Sequence, residues 1–353
     1  MQVSVAATAS ILPEAVISNR EIGERLIAGF EIKDASDREA VAAARARSDL
    51  LERKTGLRAR RFFAPELSPV EVGLDLLTRL LAPSGAWDTL DAIIVTSSSA
   101  HGFPGLSQQI VAAARAGHEG LGNPFVLDIG SNACTSFMYG LTIASSLIQA
   151  MNYRRVACLA IEFASRCIDY NPHAFGTSTL FGDAAAGVLL EPGTGGIANL
   201  QAVRASSMID AEKITLIKGG GMEVARLDLS VPESTRWYMA GPPVAIGAMK
   251  ILADEIARYQ ADGTKIDWLI PHQANLTRIL IPACQDAGID PSRLRASFAE
   301  TGNTSSASIP LLLDELVRSD EAAAGQTALL IGFGASFTLG SALLTLNRVP
   351  VRA

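Results

Sequence analysis

Four short stretches carry residue types able to do chemistry. In "DIGSNACTSFMYG" (128–140), Cys134 stands between a polar turn and an apolar run. That run, with Phe137, Met138, Leu141, Ile143, Leu147, Ile148 and Met151, predicts a helix buried nearly all round. A thiol in the first turn of such a helix faces unsatisfied N–H donors and the positive end of the helix dipole, which favour a nucleophilic thiolate. Read by itself, the residue fits a packing thiol as well, because free cysteine is among the most buried residue types. In "IDWLIPHQANLTRI", His272 leaves a hydrophobic strand through a proline, where α/β folds present side chains to ligands. A structural histidine fits that place equally. In "ETGNTSSASIPLLLDEL", Gly302 and Asn303 form a turn, the hydroxyl cluster caps a helix, and Pro310 sits early in it. Taken alone, Asn303 is a turn residue. Last, "LLIGFGASFTLGSALLTL" reads as a strand, a glycine-rich bend and a returning strand. Such a bend can turn backbone N–H groups toward an oxyanion, although plain hairpin geometry accounts for it almost as well.

Other chemistries find little support. Cys134, Cys158, Cys167 and Cys284 show no metal-binding or disulfide spacing, and the four histidines form no local cluster, so neither a metal nor a cofactor is expected. Cys158 in mid-strand and Cys284 on an apolar helical face read as packing. The formal charge of -6 gives no electrostatic footprint for nucleic acid. The first thirty residues lack the pattern of a secretory signal and no segment has the length and apolarity of a membrane span, so a cytoplasmic setting is expected.

These residues need a scaffold. With 353 residues, 48% hydrophobic and 19% charged, the chain can bury a large core. Strand-like runs ("LDAIIVTSSSA", "NPFVLDIG", "RRVACLAIEF", "AAAGVLLEPG", "KIDWLIPHQAN", "LRASF", "QTALLIGFGASF") alternate with helical patterns, which predicts an α/β fold with buried sheet flanked by helices. The order occurs twice: "IIVTSSSAHGFPG" is echoed by "WLIPHQAN", and "GDAAAGVLLE" by "GFGASFTLGSALLTL". This predicts an internal duplication with halves 1–192 and 193–353 meeting near "EPGTGGIANL". Residues 28–55 read as an exposed helical excursion, a lid or an insertion. The stretch from "SSMIDAEK" to "AGPP" reads as a loop or hairpin over a substrate entrance.

In order and context, the four stretches resemble the ketoacyl-acyl-carrier-protein synthase III family of thiolase-like condensing enzymes. The resemblance runs from "ATASILPEAVISNREI" through "KTGLRARRFFAPE", "AHGFPG", "LFGDAAAGVLLE" and "PHQAN" to "GNTSSASIP" and the terminal "GFGASFTLGSALL". It implies a thiolase-like fold of duplicated βαβαβαββ halves in α-β-α-β-α layers, and a homodimer. Carried over by position, Cys134 is the acylated nucleophile, and His272 and Asn303 bind the thioester carbonyl of a malonyl donor. The N–H groups of Cys134 and Ala335 form the oxyanion hole. Phe333 matches a gating phenylalanine, Phe103 one that reaches across the dimer to the neighbour's acyl pocket, and Ala274 of "PHQAN" falls among substrate-binding positions. The implied partners are acyl and malonyl thioesters on acyl carrier protein or CoA. The implied reaction is decarboxylative condensation, with acyl transfer to oxygen, nitrogen or sulfur, or a non-catalytic partner subunit, as alternatives.

Some positions depart from the family. Leu50 and Lys54 stand where members commonly carry a tryptophan and an arginine around the CoA adenine, and Thr135 and Ser136 replace a smaller pair after the nucleophile. A lysine gives only a point charge, which puts CoA use in doubt and points to a carrier-bound or specialised-metabolite substrate. The "CTS" run points to an unusual acyl group or acceptor. The basic run Arg53, Lys54, Arg58, Arg60 and Arg61 is suited to docking an acidic carrier protein, and equally to a solvated charged face.

Overall fold

The computed structural model describes residues 1–85, 87–99, 102–118, 120–207, 215–217, 237–239, 241–334 and 337–347. Its strands are β1 (Val3–Ile11), β2 (Ala15–Ser18), β3 (Ala59–Phe62), β4 (Ala92–Thr96), β5 (Phe125–Ile129), β6 (Val156–Glu162), β7 (Ala184–Pro192), β8 (Ala198–Ser207), β9 (Thr215–Ile217), β10 (Trp237–Met239), β11 (Trp268–Pro271), β12 (Thr327–Phe333) and β13 (Thr338–Leu346). The helices are α1 (Asn19–Ile27), α2 (Ala35–Ser48), α3 (Leu51–Thr55), α4 (Pro69–Leu81), α5 (Leu106–Gly117), α6 (Ser136–Met151), α7 (Phe175–Ser178), α8 (Gly241–Ala261), α9 (Ile281–Asp286), α10 (Phe298–Thr301) and α11 (Ser308–Arg318).

The duplication is visible in the strand order. Among the described residues, nine strands hydrogen-bond in the order β11-β12-β13-β8-β1-β7-β6-β4-β5. Counted along the chain, β1, β4, β5, β6 and β7 lie in the spatial order third, second, fourth, fifth, first. The strands β8, β11, β12 and β13 repeat that order, with Leu294 bridging Leu269 in the third place. The expected strand at "LRASF" is reduced to this one bridge, because a tight turn at Pro291–Arg293 and α10 take up the residues on either side. Only Val3, Ser4 and Val5 of β1 pair with β8, so the two half-sheets meet along a short seam.

Three apolar clusters show how the layers stack. One joins both half-sheets through α6 and α11, with Phe137, Met138, Ile309 and Leu312 at its centre. A second puts α4 and α5 on the outer face of the first half-sheet, and a third puts α8 and α9 on the outer face of the second. The result is a five-layer α-β-α-β-α stack in which α6 and α11 form the middle layer. α11 is buried along almost its whole length, whereas α6 is buried on one face and over its first turns only: Ser146, Gln149, Ala150 and Met151 are exposed, so the expected all-round burial does not extend to its C-terminal end.

Close packing at this middle layer depends on glycine. At Gly340 in β13 a Cβ would collide with the side chain of Met138, and at Gly334 one would come within 2.6 Å of the Asn132 carbonyl. The β12–β13 hairpin can therefore lie directly on the turn that carries Cys134.

Candidate active site

Cys134 sits in a 3₁₀ turn (Ala133–Thr135) that joins β5 to α6. Ala133 has φ +48, a left-handed conformation rare for a residue with a side chain, and the turn is held by Ala133 N–H donating to Gly130 and Thr135 N–H to Asn132. Asn303 lies where the second half approaches this turn. Its N–H donates to Leu180 and its carbonyl accepts from Gly182, which fixes the residue beside the Leu180–Gly182 segment. His272 follows β11 directly and its N–H donates to Ile331 in β12. The fold brings Cys134, His272 and Asn303 to one cavity of about 420 Å³.

Ser305 ties the three together. Its hydroxyl contacts Cys134 Sγ (3.4 Å), its N–H donates to Asn303 Oδ1 (2.8 Å), and its carbonyl accepts from Ser308 Oγ (2.8 Å), which also contacts His272 Nδ1 (2.9 Å). Ser308 has one hydroxyl hydrogen, so its orientation sets the histidine tautomer: given to the Ser305 carbonyl, it leaves Oγ to accept from Nδ1–H, and turned instead to Nδ1, it leaves the ring hydrogen on Nε2. Ser305 is itself left-handed, at φ +47.

Burial controls the titrations. The dry surroundings push the Cys134 thiol up to about 12, against the hydrogen bond from Ser305, and the charge of Glu162 pushes the same way. Burial thus opposes the thiolate that the start of α6 favours. Burial also holds His272 down to about 3, so its imidazole is neutral across the physiological range.

The remaining expectations divide. Phe333 and Ala274 line the cavity, and the Phe333 ring stands edge-on to His272 at 5.0 Å. Phe103 lies away from it, fully exposed on the loop before α5. Ala335 falls outside the described residues, as do residues 218–236 of the expected entrance loop. The flanking β9 and β10 pair antiparallel, and Trp237 lines the cavity with its ring against Phe181 (4.9 Å). Residues 28–55 are helical and largely exposed, as expected, and Arg47, Leu51, Lys54 and Thr55 of this segment line the cavity.

The basic run and the "CTS" departure take on a different shape in the fold, and Arg60 drops out of the carrier-docking set. Of the basic run, only Lys54 reaches the cavity mouth. Arg60 is wholly buried, donating to Ile17, Asn19 and Thr179, so it holds β3 against its neighbours and cannot meet a carrier. Arg58 is paired with Glu300, and Arg61 donates to the Pro13 carbonyl. The "CTS" departure also has an internal explanation. Thr135 is buried against Thr338 (Oγ1 to Oγ1, 2.6 Å), Ser136 is buried too, and neither lines the cavity. The sequence reading missed Arg47, Arg278 and Ser305, which line the cavity, and Glu162, which lies behind it bonded to Ser98 and Ser306. A polar residue in an apolar run, as in "CLAIEF", was the available signal for the last.

A five-layer duplicated fold with cysteine, histidine and asparagine around one cavity defines a thiolase-like condensing enzyme. The 3-oxoacyl-[acyl-carrier-protein] synthase III family model matches residues 127–208, and the model of its C-terminal region matches residues 256–346. The chain is 32% identical over 343 residues to the beta-ketoacyl-[acyl-carrier-protein] synthase III of Acidiphilium cryptum (strain JF-5), covering 95% of this chain and 96% of that protein. Among solved structures it resembles 3-oxoacyl-(acyl carrier protein) synthase III from Pseudomonas aeruginosa PAO1, with a TM-score of 0.79 and 27% identity over 99% of both chains. The priming beta-ketosynthase of the R1128 polyketide biosynthetic pathway aligns with a TM-score of 0.79 and 26% identity over 99% of this chain and 97% of that one. The chain belongs to the beta-ketoacyl-acyl-carrier-protein synthase III family and is a condensing enzyme of that type.

Proposed function

We propose that Cys134 takes an acyl group from a thioester and that His272 and Asn303 drive decarboxylative condensation with a malonyl thioester to give a β-ketoacyl product. The carrying observation is that Ser305 contacts Cys134, holds Asn303, and meets His272 through Ser308, in one cavity. Acyl transfer begins with attack of the Cys134 sulfur on the thioester carbon. The N–H groups of Cys134 and Ala335 take the charge on the tetrahedral oxygen, and the donor thiol leaves. With the Ser308 hydroxyl turned to Nδ1, Nε2–H of His272 and the Asn303 amide then donate to the malonyl carbonyl oxygen, stabilising the enolate as carbon dioxide departs. Each such donor is worth roughly 3 to 4 kcal/mol in comparable oxyanion sites. The enolate carbon attacks acyl-Cys134, and the thiol is regenerated.

Acyl and malonyl groups arrive on acyl carrier protein or CoA past Arg47, Lys54 and Arg278 at the mouth. Phe103, exposed on its loop, suits a residue that closes a neighbour's pocket in a cytoplasmic homodimer. The halves divide at residues 192/193, between β7 and β8. Phe333 and Ala274 act as substrate contacts.

Intact-protein mass spectrometry after incubation with panels of acyl-CoA and acyl-carrier thioesters tests the proposal, with Cys134→Ala as control. Malonyl-carrier protein is then added. The expected result is loading of the wild type alone, followed by carbon dioxide release and a β-keto product. Loading without that product would overturn condensation in favour of acyl transfer to a heteroatom.

A further inference from the structure

A buried carboxylate lies behind the nucleophile, and the reaction outlined above leaves it unused. Glu162, the last residue of β6, is fully buried, and its hydrogen-bond partners are hydroxyl and backbone N–H groups. Oε1 accepts from Ser98 N–H (2.9 Å), Ser98 Oγ (3.0 Å), Ser306 N–H (3.1 Å) and Ser306 Oγ (2.5 Å). Oε2 accepts from Ser99 N–H (3.2 Å), Ser99 Oγ (2.9 Å) and Ser97 Oγ (3.4 Å). From Oε1 the contacts continue in an unbroken line: Ser98 Oγ touches Ser305 Oγ, and Ser305 Oγ touches Cys134 Sγ. A carboxylate, two hydroxyls and a thiol thus run from the back of the sheet to the reacting sulfur.

Each hydroxyl carries one hydrogen, so the chain has two consistent arrangements. In the first, Cys134 S–H donates to Ser305, Ser305 to Ser98, and Ser98 to ionised Glu162. In the second every hydrogen points the other way: Glu162 is protonated and donates to Ser98, Ser98 to Ser305, and Ser305 to a sulfur without its proton. One concerted shift of three hydrogens converts the first into the second.

We propose that this line is the proton path of the acylation step, with Ser305, Ser98 and Glu162 carrying the thiol proton away as the sulfur is acylated. The inference rests on Cys134 being the acylated nucleophile. As the carbon–sulfur bond forms, the thiol proton passes to Ser305, the Ser305 proton to Ser98, and the Ser98 proton to Glu162. The donor leaves as a thiolate and is protonated by water. When condensation later expels Cys134 as a thiolate, the three hydrogens shift back and Glu162 is again ionised. Ser305 touches the reacting atom, whereas Ser98 and Glu162 are positioning residues that act through it. Such a path suits the site: burial pushes the thiol up, and His272, lowered to about 3, is a poor acceptor for its proton.

Two rates measured on the same variants test the path. The first is acylation of Cys134 by a thioester that loads the wild type, followed by rapid quench and mass spectrometry. The second is alkylation of Cys134 by iodoacetamide, which needs thiolate but no relay. Glu162→Gln removes a charge that opposes thiolate, so alkylation should speed up severalfold while acylation slows about a hundredfold, the usual worth of a general base. Ser98→Ala, which leaves Glu162 with Ser97, Ser99 and Ser306, should slow acylation alone, and Ser98→Thr should restore it. In mixtures of light and heavy water the wild-type acylation rate should bow downward with deuterium content, as several moving protons require, and become linear in Glu162→Gln. A wild type that loads and is matched by Glu162→Gln and Ser98→Ala in acylation overturns the relay and leaves Cys134 as nucleophile. A wild type that no thioester loads overturns both.

Discussion

The state of the Cys134 thiol can be measured before any substrate is known. Its ordinary value of 9.0 is raised to about 12, chiefly by burial, a difference of three units. Three units cost about 4 kcal/mol and leave roughly one thousandth of the thiolate that an ordinary cysteine would show. Alkylation by iodoacetamide, followed at the Cys134 peptide by mass spectrometry between pH 6 and about 10.5, reports that fraction because only thiolate reacts. The logarithm of the rate should climb with unit slope over the whole range, without levelling. A plateau at or below pH 9 would refute the reasoning, since it would mean that the turn before α6 stabilises the anion by more than the dry cavity penalises it.

Stability should fall in acid through His272. Its folded value, about 3 against an ordinary 6.5, means that between these limits only the unfolded chain takes up the proton. Unfolding is therefore favoured as pH drops from about 6.5 toward 3, by at most about 5 kcal/mol from this residue; urea midpoints at pH 4.5 and 7 should differ less in His272→Gln than in the wild type. Gly340→Ala drives a methyl group into Met138 and should cost ~1–3 kcal/mol. Met138→Ala in the same chain should recover part of that loss, and strict additivity of the two changes in denaturant unfolding would contradict the packing described. Reversing both Lys54 and Arg278 to glutamate should raise KM for a carrier-bound thioester about tenfold at low salt, with kcat nearly unchanged. A fall in kcat at constant KM would place these side chains elsewhere in the cycle.

Much of this fold is legible in the sequence because its signals are local. The existence of α6 and its buried first turns, the strand exits at His272 and the turn at Asn303 follow from hydrophobic period and turn chemistry within a dozen residues. Charge is less legible. Arg60 sits in a run of basic residues that looks solvated, yet it is drawn inward because the Ile17 and Thr179 carbonyls, distant in sequence, converge on its guanidinium. Residues 28–55 are polar enough to suggest an exposed excursion, and largely are one, but Leu51 is buried beside Phe175 and Phe298, which docks α3 against the cavity. The network of Glu162, Ser98 and Ser305 joins three points separated by 64 and 207 residues, and no periodicity reports such a meeting.

The duplication explains why that network exists. Each middle helix is entered by a 3₁₀ turn whose first residue is left-handed: Ala133 at φ +48 before α6, and Ser305 at φ +47 before α11. Position for position, Cys134 in one half corresponds to Ser306 in the other, and Ser136 to Ser308. The strand exits match as well, with Ser97 after β4 answering His272 after β11, and Glu162 at the end of β6 answering Phe333 at the end of β12. In one half the paired exits are joined by hydrogen bonds to a carboxylate, and in the other by an edge-on contact between two rings. One scaffold thus carries a polar end and an apolar end, and the two left-handed turns bring them together. In the proposed mechanism the polar end supplies a sink for the nucleophile's proton, whereas the apolar end keeps His272 neutral for the decarboxylation. A variant that makes the halves alike at these exits, Phe333→Glu, places a second buried carboxylate against His272. It should raise the histidine's ionisation toward neutral pH, measurable by NMR titration of the ring, and suppress malonyl decarboxylation more than acyl loading. Equal loss of both half-reactions would argue that the two ends do not divide the work in this way.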